Sequence, residues 1–383
     1  MQVKMEEKTL PRQGFNMLKV AIAAGGTGGH VFPAIAIAEE FIHQVKDVSI
    51  TFIGSEDGME KEIILEKGFE FESISVKKLY RFLTPKNLLF PYYLLKSVFQ
   101  TRRILKKNEC DIFIGCGGFV SGAAGLGAKG VGIPIFLQEQ NSFPGISTRK
   151  LAKSSKIIFL GNPEAKEYLN LDNSRLIYTG NPIRKMEKVD KAKAKKFWGL
   201  DDRKVIFVYG GSQGAKSIND NVVKIIEDLL KKDLQIIFQT GKNKYQKIYE
   251  KIGQQKSVVI KSFIRQMDLA YSAADLVVCR AGAISLSEIA FYELPAILIP
   301  FPKSSGNHQV KNAESLKKQG AAELLLDKNL NPENLKNKIM DIILDEMKSK
   351  LMSKAIKKFA KPESAKEIVE IILQQRDIPF DKR

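Results

Sequence analysis

The sequence predicts an α/β protein with two doubly wound parallel-sheet domains that face each other across a cleft. Three observations support this prediction. The chain has 383 residues, which is more than a domain with a single hydrophobic core usually contains, so two domains are expected. A buried strand, a glycine turn and an amphipathic helix follow one another twice, over residues 17–45 and 204–230. Short apolar runs otherwise alternate with helical stretches, which is typical of parallel sheets with helices on both faces.

The two repeated units share one plan. In the first, an apolar strand leads through the glycines of residues 25–29 into a helix with Pro33 in its first turn, a position that proline favours. The apolar stripe of this helix consists of Ala34, Ile35, Ala38, Phe41, Ile42 and Val45. The second unit places Ile218, Val222, Ile225 and Ile226 on one helix face. Each half of the chain therefore begins with a strand, a glycine turn and a helix.

The remaining apolar runs complete the two predicted sheets. They are Ser49–Ile53, Ile112–Ile114, Ile133–Leu137, Lys156–Phe159, Leu176–Tyr178, Leu234–Gln239, Ser257–Ile260, Leu276–Cys279 and Ala296–Ile299. The lysine-rich stretch Arg184–Lys204 is the expected join, which gives an N-terminal domain over residues 17–183 and a C-terminal domain over residues 184–358. An amphipathic helix, Glu363–Gln374, within residues 359–376, is expected to return to the N-terminal domain. Residues 1–16 are expected to be a disordered extension.

Charge and cysteine content narrow the classes of function. The sequence has 61 basic and 43 acidic residues, a net charge of +18, so an anionic partner is expected. Charge alone leaves nucleic acid, anionic lipid and phosphorylated substrates open, but no recognised RNA or DNA motif accompanies it. Three scattered cysteines, Cys110, Cys116 and Cys279, predict neither a disulfide framework nor a zinc site. No apolar run reaches the ~18–20 residues needed to cross a bilayer.

Both glycine turns suit phosphate, because such a turn gathers unpaired N–H groups at the positive end of a helix. The alternative is a tight turn that only closes a strand against a helix. In the first turn Val31 stands where a GxGxxG motif needs glycine, which argues against a dinucleotide-binding dehydrogenase. In the second, Ala215 replaces the second glycine of a P-loop. A P-loop ATPase also needs a strand ending in a magnesium-binding Asp, and the best later strand ends in Cys279-Arg280.

Seven ordered motifs carry a family resemblance. They are GGTGGHVFPA (25–34), GGFVSG (117–122), EQN (139–141), GNPIR (180–184), GGSQGAKSIN (210–219), CRAGAISLSE (279–288) and HQxxNA (308–313). The chain resembles the UDP-N-acetylglucosamine–N-acetylmuramyl-(pentapeptide) pyrophosphoryl-undecaprenol N-acetylglucosamine transferases from about Met17 to the terminal helix. The resemblance implies two Rossmann-like domains of glycosyltransferase-B type. It also implies inverting transfer of N-acetylglucosamine from UDP to the C4 hydroxyl of a lipid-linked N-acetylmuramyl-pentapeptide, which forms the β-1,4 disaccharide precursor of peptidoglycan. Another UDP-sugar enzyme of this fold, such as a lipid glycosyltransferase or an epimerase, and a P-loop-like ATPase remain alternatives.

The resemblance assigns a donor site to the C-terminal domain. Backbone amides around Ser212, Gln213 and Gly214 would hold the UDP diphosphate, with Arg184 as a bidentate clamp. Glu288 would accept the ribose hydroxyls. The segment before it, which would lie along the nucleotide, is Ala283, Ile284, Ser285, Leu286 and Ser287. The backbone of Ile264 would pair with uracil, although its side chain alone predicts a core residue. Asn141 and Gln309, one from each domain, would bind sugar hydroxyls.

Catalysis needs a base for the acceptor hydroxyl. His30, beside Thr27, Gly28 and Gly29 of the first turn, is the leading candidate, and Glu139 is the second. Alternatively, His30 holds the acceptor pyrophosphate as a cation. Many family members have histidine where this chain has Gln138, which cannot act as a base. No DxD motif occurs, so no obligatory metal or other cofactor is expected; the helix dipole and Arg184 would stabilise the leaving UDP.

The segment Val76–Lys107 predicts membrane contact. It contains nine basic residues, no acidic residue and many interleaved aromatic and leucine side chains. Pro85, Pro91 and the internal charges exclude a spanning helix. The candidate contact residues are Leu79, Tyr80, Phe82, Leu83, Leu89 and Phe90. We therefore expect a peripheral protein on an anionic membrane surface at the cytoplasmic face, without a nucleic-acid partner, and with other cell-wall synthesis proteins as further candidate partners. A core helix with a solvated basic flank is the alternative.

Overall fold

A computed structural model describes residues 17–58, 60–77 and 88–375. Residues 1–16, which we expect to form a disordered extension, lie outside this part of the chain. The described residues form two parallel β-sheets, each covered by helices on both faces. The predicted fold class is therefore confirmed.

The first sheet has seven parallel strands in the order β3-β2-β1-β4-β5-β6-β7. The elements of this half of the chain are β1 Leu18–Ala23, α1 Gly28–Gln44, β2 Val48–Ser55, α2 Glu60–Glu66, β3 Glu70–Ile74, α3 Phe90–Lys107, β4 Ile112–Gly115, α4 Gly118–Val131, β5 Ile135–Glu139, α5 Ile146–Leu151, β6 Ile157–Leu160 and β7 Leu176–Tyr178. Successive residues of a strand point to opposite faces. Val20 and Ile22 of β1 accordingly pack with α1, whereas Ala21 and Ala23 pack in the core formed with α3 and α4.

The second sheet has six parallel strands in the order β10-β9-β8-β11-β12-β13. The elements are α6 Lys191–Phe197, β8 Val205–Tyr209, α7 Lys216–Leu230, β9 Gln235–Gln239, α8 Lys242–Ile252, β10 Val258–Lys261, α9 Met267–Ala273, β11 Leu276–Cys279, α10 Ala283–Phe291, β12 Ala296–Leu298, α11 His308–Lys318, β13 Glu323–Leu324, α12 Pro332–Ile343, α13 Glu346–Lys357 and α14 Ser364–Leu373. This is the doubly wound order 3-2-1-4-5-6, and ligands of such sheets bind where the strand order reverses.

The strand predictions agree closely with the structure. All nine additional apolar runs form strands, and their ends differ from the predicted ends by at most two residues. The sequence analysis missed β3 and β13, which form an edge of each sheet. Both strands include glutamates, and Ile74 is their only buried residue, so neither strand has the apolar run of a buried strand.

The last helix belongs to the first half of the molecule by its contacts. Its buried residues Ile368, Val369 and Ile372 join the core beneath α1. The Ser364 hydroxyl donates a hydrogen bond of 2.9 Å to the carbonyl oxygen of Gly180, just before the segment that joins the two sheets. The chain therefore crosses between the sheets twice.

Removing side-chain volume from α14 should destabilise the N-terminal core. We expect Ile372→Ala to lower the free energy of unfolding by about 2–5 kcal/mol, because a fully buried isoleucine leaves a cavity. Urea unfolding checks this. The control Glu370→Ala, exposed on the same helix, should stay within about 0.5 kcal/mol of the parent. Equal effects of the two substitutions would contradict the docking of this helix.

Candidate active site

The first glycine turn lies where the strand order of the first sheet reverses, between β1 and β4. Thr27 is the N-cap of α1 and makes no side-chain capping bond, and Thr27 and Gly29 are exposed while Gly28 is half-buried. Gly118 at the start of α4 has φ +79°, and a Cβ there would overlap the carbonyl oxygen of Gly25. The close approach of the turns before α1 and α4 therefore requires glycine at position 118.

His30 follows this turn on α1 and is hydrogen-bonded to Gln140. Its Nδ1 lies 2.9 Å from the Oε1 of that side chain. Desolvation lowers the pKa of His30 below its ordinary value, against opposing contributions from the Gln140 bond, the Glu139 charge and a backbone hydrogen bond with Cys116. A lowered pKa favours neutral imidazole at neutral pH. His30 is therefore suited to accept a proton.

Glu139, the second predicted base, is buried and fully engaged. One carboxylate oxygen accepts hydrogen bonds from the backbone and side-chain nitrogens of Asn141, both at 3.1 Å. The other accepts from the Gly145 N–H at 2.9 Å and the Thr148 hydroxyl at 2.6 Å. All four donors come from residues 141–148, so this carboxylate organises the loop after β5.

Asn141 and its neighbour Ser142 touch the second domain through Asn312 of α11. The Asn312 Oδ1 accepts from the Ser142 N–H at 2.9 Å and from its hydroxyl at 3.0 Å. The Asn312 Nδ2 donates to Asn141 Oδ1 and to the Ala281 carbonyl, both at 3.3 Å. The sequence analysis quoted Asn312 within HQxxNA but gave it no role. Its buried position between two domains depends on their docking.

The second glycine turn occupies the corresponding place between β8 and β11. Ser212 and Gln213 are exposed, and Gly214, with φ +72°, precedes α7. Arg280 holds the helix that follows the turn. Its guanidinium donates to Asp327 at 2.6 Å and to the Ser217 hydroxyl, in the first turn of α7, at 2.8 Å. Arg280 thus fixes the start of α7, a role that the sequence analysis did not assign.

Glu288 and Arg184, predicted as separate donor ligands, are paired in the structure. Arg184 Nη2 lies 2.9 Å from one oxygen of the buried Glu288 carboxylate. The other oxygen accepts from the Tyr271 hydroxyl at 2.9 Å, and Tyr271 contacts the Tyr209 hydroxyl at 2.7 Å. Burial, with the Glu288 charge, raises the pKa of Tyr271 well above its ordinary value, so it remains a donor. The sequence did not reveal these two tyrosines, because both occur within ordinary apolar stretches.

The other predicted donor residues lie at the start of α10, after β10 and on α11. Ala283, Ile284, Ser285, Leu286 and Ser287 form the first turns of α10, ahead of Glu288. Ile264 is buried as its side chain suggests, and its N–H donates to Gln239 Oε1 at 2.7 Å. Gln239 Nε2 in turn donates to the Gly211 carbonyl at 3.0 Å. On α11, Gln309 Oε1 accepts from the Phe301 N–H at 2.8 Å.

Helix α3 carries the described part of the predicted membrane surface. Leu79, Tyr80, Phe82 and Leu83 lie outside the described residues; Leu89 is exposed and Phe90 is half-buried. Leu88, which precedes the helix, is exposed as well, and the exposed apolar side chains along the helix are Tyr92, Leu95 and Phe99. The opposite face, with Ile104 and Leu105, is buried against α4. We call the exposed row formed by Leu88, Leu89, Tyr92, Leu95 and Phe99 the α3 stripe.

None of the helices in the described part of the chain combines the length and the apolar character required to traverse a bilayer. Within residues 17–58, 60–77 and 88–375, no three His, Cys, Asp or Glu side chains cluster as ligands for a metal ion.

Comparisons with known proteins identify the family. Residues 20–160 match the glycosyltransferase family 28 N-terminal domain, and residues 205–368 match the C-terminal domain of that family. A UDP-N-acetylglucosamine–N-acetylmuramyl-(pentapeptide) pyrophosphoryl-undecaprenol N-acetylglucosamine transferase from Acetivibrio thermocellus is 38% identical over 361 residues, 93% of this chain and 97% of the relative. The chain belongs to this transferase family. The resemblance carried by the seven motifs is confirmed.

Two solved structures share the fold of this transferase. The Acinetobacter baumannii protein named MurG has a TM-score of 0.74 and 25% identity, with 94% of this chain and all of that chain covered. A UDP-GlcNAc 2-epimerase from Neisseria meningitidis, solved with UDP-GlcNAc bound, has a TM-score of 0.65 and 13% identity, with coverage of 94% and 100%. The epimerase is similar in fold alone.

The second glycine turn should tolerate alanine at one glycine and not at another. A Cβ at Gly214 would overlap the Thr240 carbonyl oxygen, whereas a Cβ at Gly211, φ +87°, meets no atom within 4 Å. We expect Gly211→Ala to cost about 1–2 kcal/mol of unfolding free energy from backbone strain alone, and Gly214→Ala to cost clearly more. Urea unfolding of both variants measures the difference. Equal losses would contradict the close packing of this turn.

Proposed function

We propose that this transferase moves N-acetylglucosamine from UDP-N-acetylglucosamine to the C4 hydroxyl of a lipid-linked N-acetylmuramyl-pentapeptide, with inversion at the anomeric carbon. The observation that carries the proposal is the set of hydrogen bonds that joins the first sheet to α10 and α11. Asn181, which follows the first sheet, donates to the Ser287 hydroxyl of α10 at 3.1 Å, and Asn312 of α11 holds the loop after β5. These bonds support one shared site, with His30 on the N-terminal side and Glu288 of α10 on the C-terminal side.

The donor would bind to the C-terminal domain. The N–H groups at the start of α7, a helix of 15 residues, attract the diphosphate, and Arg184 lies close by through its pair with Glu288. Ribose hydroxyls would then share the Glu288 carboxylate while Arg184 turns towards the phosphates. Tyr271 would hold one carboxylate oxygen throughout, which keeps Glu288 oriented when its cationic partner is shared.

The acceptor would approach the N-terminal domain, with His30 as its base. Neutral imidazole has a lone pair for the C4 hydroxyl proton, and the deprotonated oxygen attacks the anomeric carbon while UDP leaves. The lowered pKa of His30 supports this role over that of a cationic pyrophosphate clamp. The four donors on Glu139 favour a structural role for that residue. We propose that α7 and Arg184 stabilise the leaving UDP and that no metal is obligatory.

We further propose that the α3 stripe rests on an anionic membrane surface at the cytoplasmic face. Lysine and arginine residues flank it, including Lys96, Arg103 and Lys106, and none of the helix's residues is acidic. Such a face places apolar side chains in the lipid and cations near anionic head groups. The acceptor's lipid tail could then stay in the bilayer while its sugar reaches His30. Other cell-wall synthesis proteins are candidate partners at the same surface.

A transfer assay from UDP-N-acetylglucosamine to a short-chain lipid-linked muramyl acceptor tests the reaction. We expect transfer without added metal and in the presence of EDTA. Glu288→Gln should lower kcat/KM for the donor about 10- to 100-fold, because a charged hydrogen-bond acceptor is lost. The control Glu370→Gln, exposed on α14, should leave it unchanged. Epimerised UDP-sugar formed without any lipid acceptor, or full activity of Glu288→Gln, would contradict the proposal.

Binding to vesicles of anionic lipid tests the membrane surface. Leu95→Glu should weaken binding about tenfold or more, because an apolar side chain worth about 1.5–3 kcal/mol on burial is replaced by an anion. Leu351→Glu on α13 is the matched control, since both leucines are 60% exposed. We expect this control to bind like the parent. Equal loss in both variants, or none in Leu95→Glu, would exclude the α3 stripe as the contact.

A further inference from the structure

A continuous series of amide side chains connects His30 to the donor helix α10. His30 Nδ1 lies 2.9 Å from Gln140 Oε1. Gln140 Nε2 donates to Gln138 Oε1 in turn. Gln138 Nε2 donates to Asn181 Oδ1 at 3.1 Å, and Asn181 Nδ2 donates to the Ser287 hydroxyl at 3.1 Å. The three amides, Gln138, Gln140 and Asn181, are all buried. Buried amides need hydrogen-bond partners, so the direction of each one is defined.

Backbone carbonyl groups fix which end of each amide points where. A carbonyl oxygen only accepts hydrogen bonds, so the amide end that faces it must be the NH2 group. Asn181 turns that end to the Gln140 carbonyl at 3.2 Å, and its Oδ1 therefore faces Gln138. Gln138 in turn presents its Oε1 to Gln140. The NH2 group of Gln140 also faces the carbonyls of Cys116, at 2.9 Å, and of Gln138, at 3.2 Å.

This arrangement determines the tautomer of His30. Because the NH2 group of Gln140 is held by acceptors, its Oε1 is the atom that faces the imidazole. An oxygen acceptor at 2.9 Å requires a proton on Nδ1, which leaves the lone pair of the neutral ring on Nε2. A Cβ at Gly117 would lie 2.7 Å from Nδ1, so glycine at that position keeps room for the contact.

We propose that Gln140 is a positioning residue that holds His30 in the Nδ1–H tautomer, with Nε2 as the base, and that Gln138 and Asn181 hold the Gln140 amide in the required direction. The proposal rests on the base role of His30 proposed above. During transfer Nε2 takes the C4 hydroxyl proton, the C4 oxygen forms its bond to the anomeric carbon, and UDP departs with the electrons of the broken bond. The resulting imidazolium keeps its Nδ1–H bond to a neutral amide, which stabilises the cation less than a carboxylate does.

The surroundings of the ring support the same assignment. Burial is the largest influence on the pKa of His30 and lowers it. The Glu139 carboxylate, at the end of β5, acts in the opposite direction, as does the backbone hydrogen bond with Cys116, which directly follows β4. Burial raises the pKa of the Cys116 thiol, which stays neutral. An amide that does not titrate keeps the tautomer constant across the pH range of the reaction.

Nitrogen NMR of the full chain labelled at histidine tests the tautomer directly. The sequence has three histidines, and the signals absent from His30→Gln belong to His30. We expect the Nδ1–H form in the parent protein, although free histidine in water favours Nε2–H. An Nε2–H ring in the parent would overturn the proposal. The tautomer itself is read in the unmodified protein, and His30→Gln serves only to assign the signals.

Two substitutions at Gln140 test the consequence for transfer. Gln140→Met removes the acceptor, so kcat should fall about 10²-fold or more while KM for the donor stays within about threefold. Gln140→Glu places a carboxylate against Nδ1–H, which favours the imidazolium, so the acid limb of the kcat/KM profile should move up by about one pH unit or more. Gln235→Met and Gln235→Glu, at a buried glutamine at the start of β9, are the controls and should retain the parent profile.

The outcomes separate this inference from the proposed base role. Full transfer activity in His30→Gln would exclude His30 as the base. If His30→Gln abolishes transfer but the Gln140→Glu profile coincides with that of the parent, the base stands and Gln140 is not its positioning residue. A rise in donor KM with unchanged kcat in Gln140→Met would likewise assign this residue to donor binding instead.

Discussion

The site depends on the hydrogen bonds that join the two domains at their switch points. Asn181 reaches Ser287 from one side, and Asn312 reaches Ser142 and Asn141 from the other. These bonds join residues that are 106 to 171 positions apart in the sequence. Without them, each sheet would still present a glycine turn at the start of a helix. The two halves of the proposed site depend on this docking, because buried amides require partners and find them in the opposite domain.

Electrostatic pairing gives the donor half of this site its character. A buried carboxylate without a partner is costly, and Glu288 has both Arg184 and Tyr271. The arginine comes from the segment between the domains, so the contact that satisfies Glu288 also holds a cation beside α10. The acceptor half is organised differently. There a neutral imidazole and neutral amides lie beside one carboxylate, Glu139, whose charge is satisfied by its own loop. This difference between the halves fits the proposed roles, a donor that carries phosphates and a His30 base that acts as the neutral imidazole.

Prediction from sequence succeeded where the relevant interaction is local. The strand–turn–helix units follow from apolar spacing and glycine, and nine further strands were identified within two residues of their ends. The missed strands, β3 and β13, lie at sheet edges where polar side chains meet solvent. Tyr209, Tyr271 and Gln140 were missed as site residues for a related reason. A buried tyrosine in an apolar run looks like core, and only the position of its hydroxyl, set by packing, reveals a partner.

The sequence by itself determined the two-sheet fold, the family and the residues that form each turn, because periodicity, glycine placement and ordered motifs are properties of short segments. Only the tertiary structure decided which of those residues face one another. In the folded protein Glu288 pairs with Arg184 and Glu139 accepts four hydrogen bonds. His30 is connected to α10 through Gln140, Gln138 and Asn181. Such assignments depend on distances of about 3 Å between residues far apart in the chain, and that information arises only when the domains are docked.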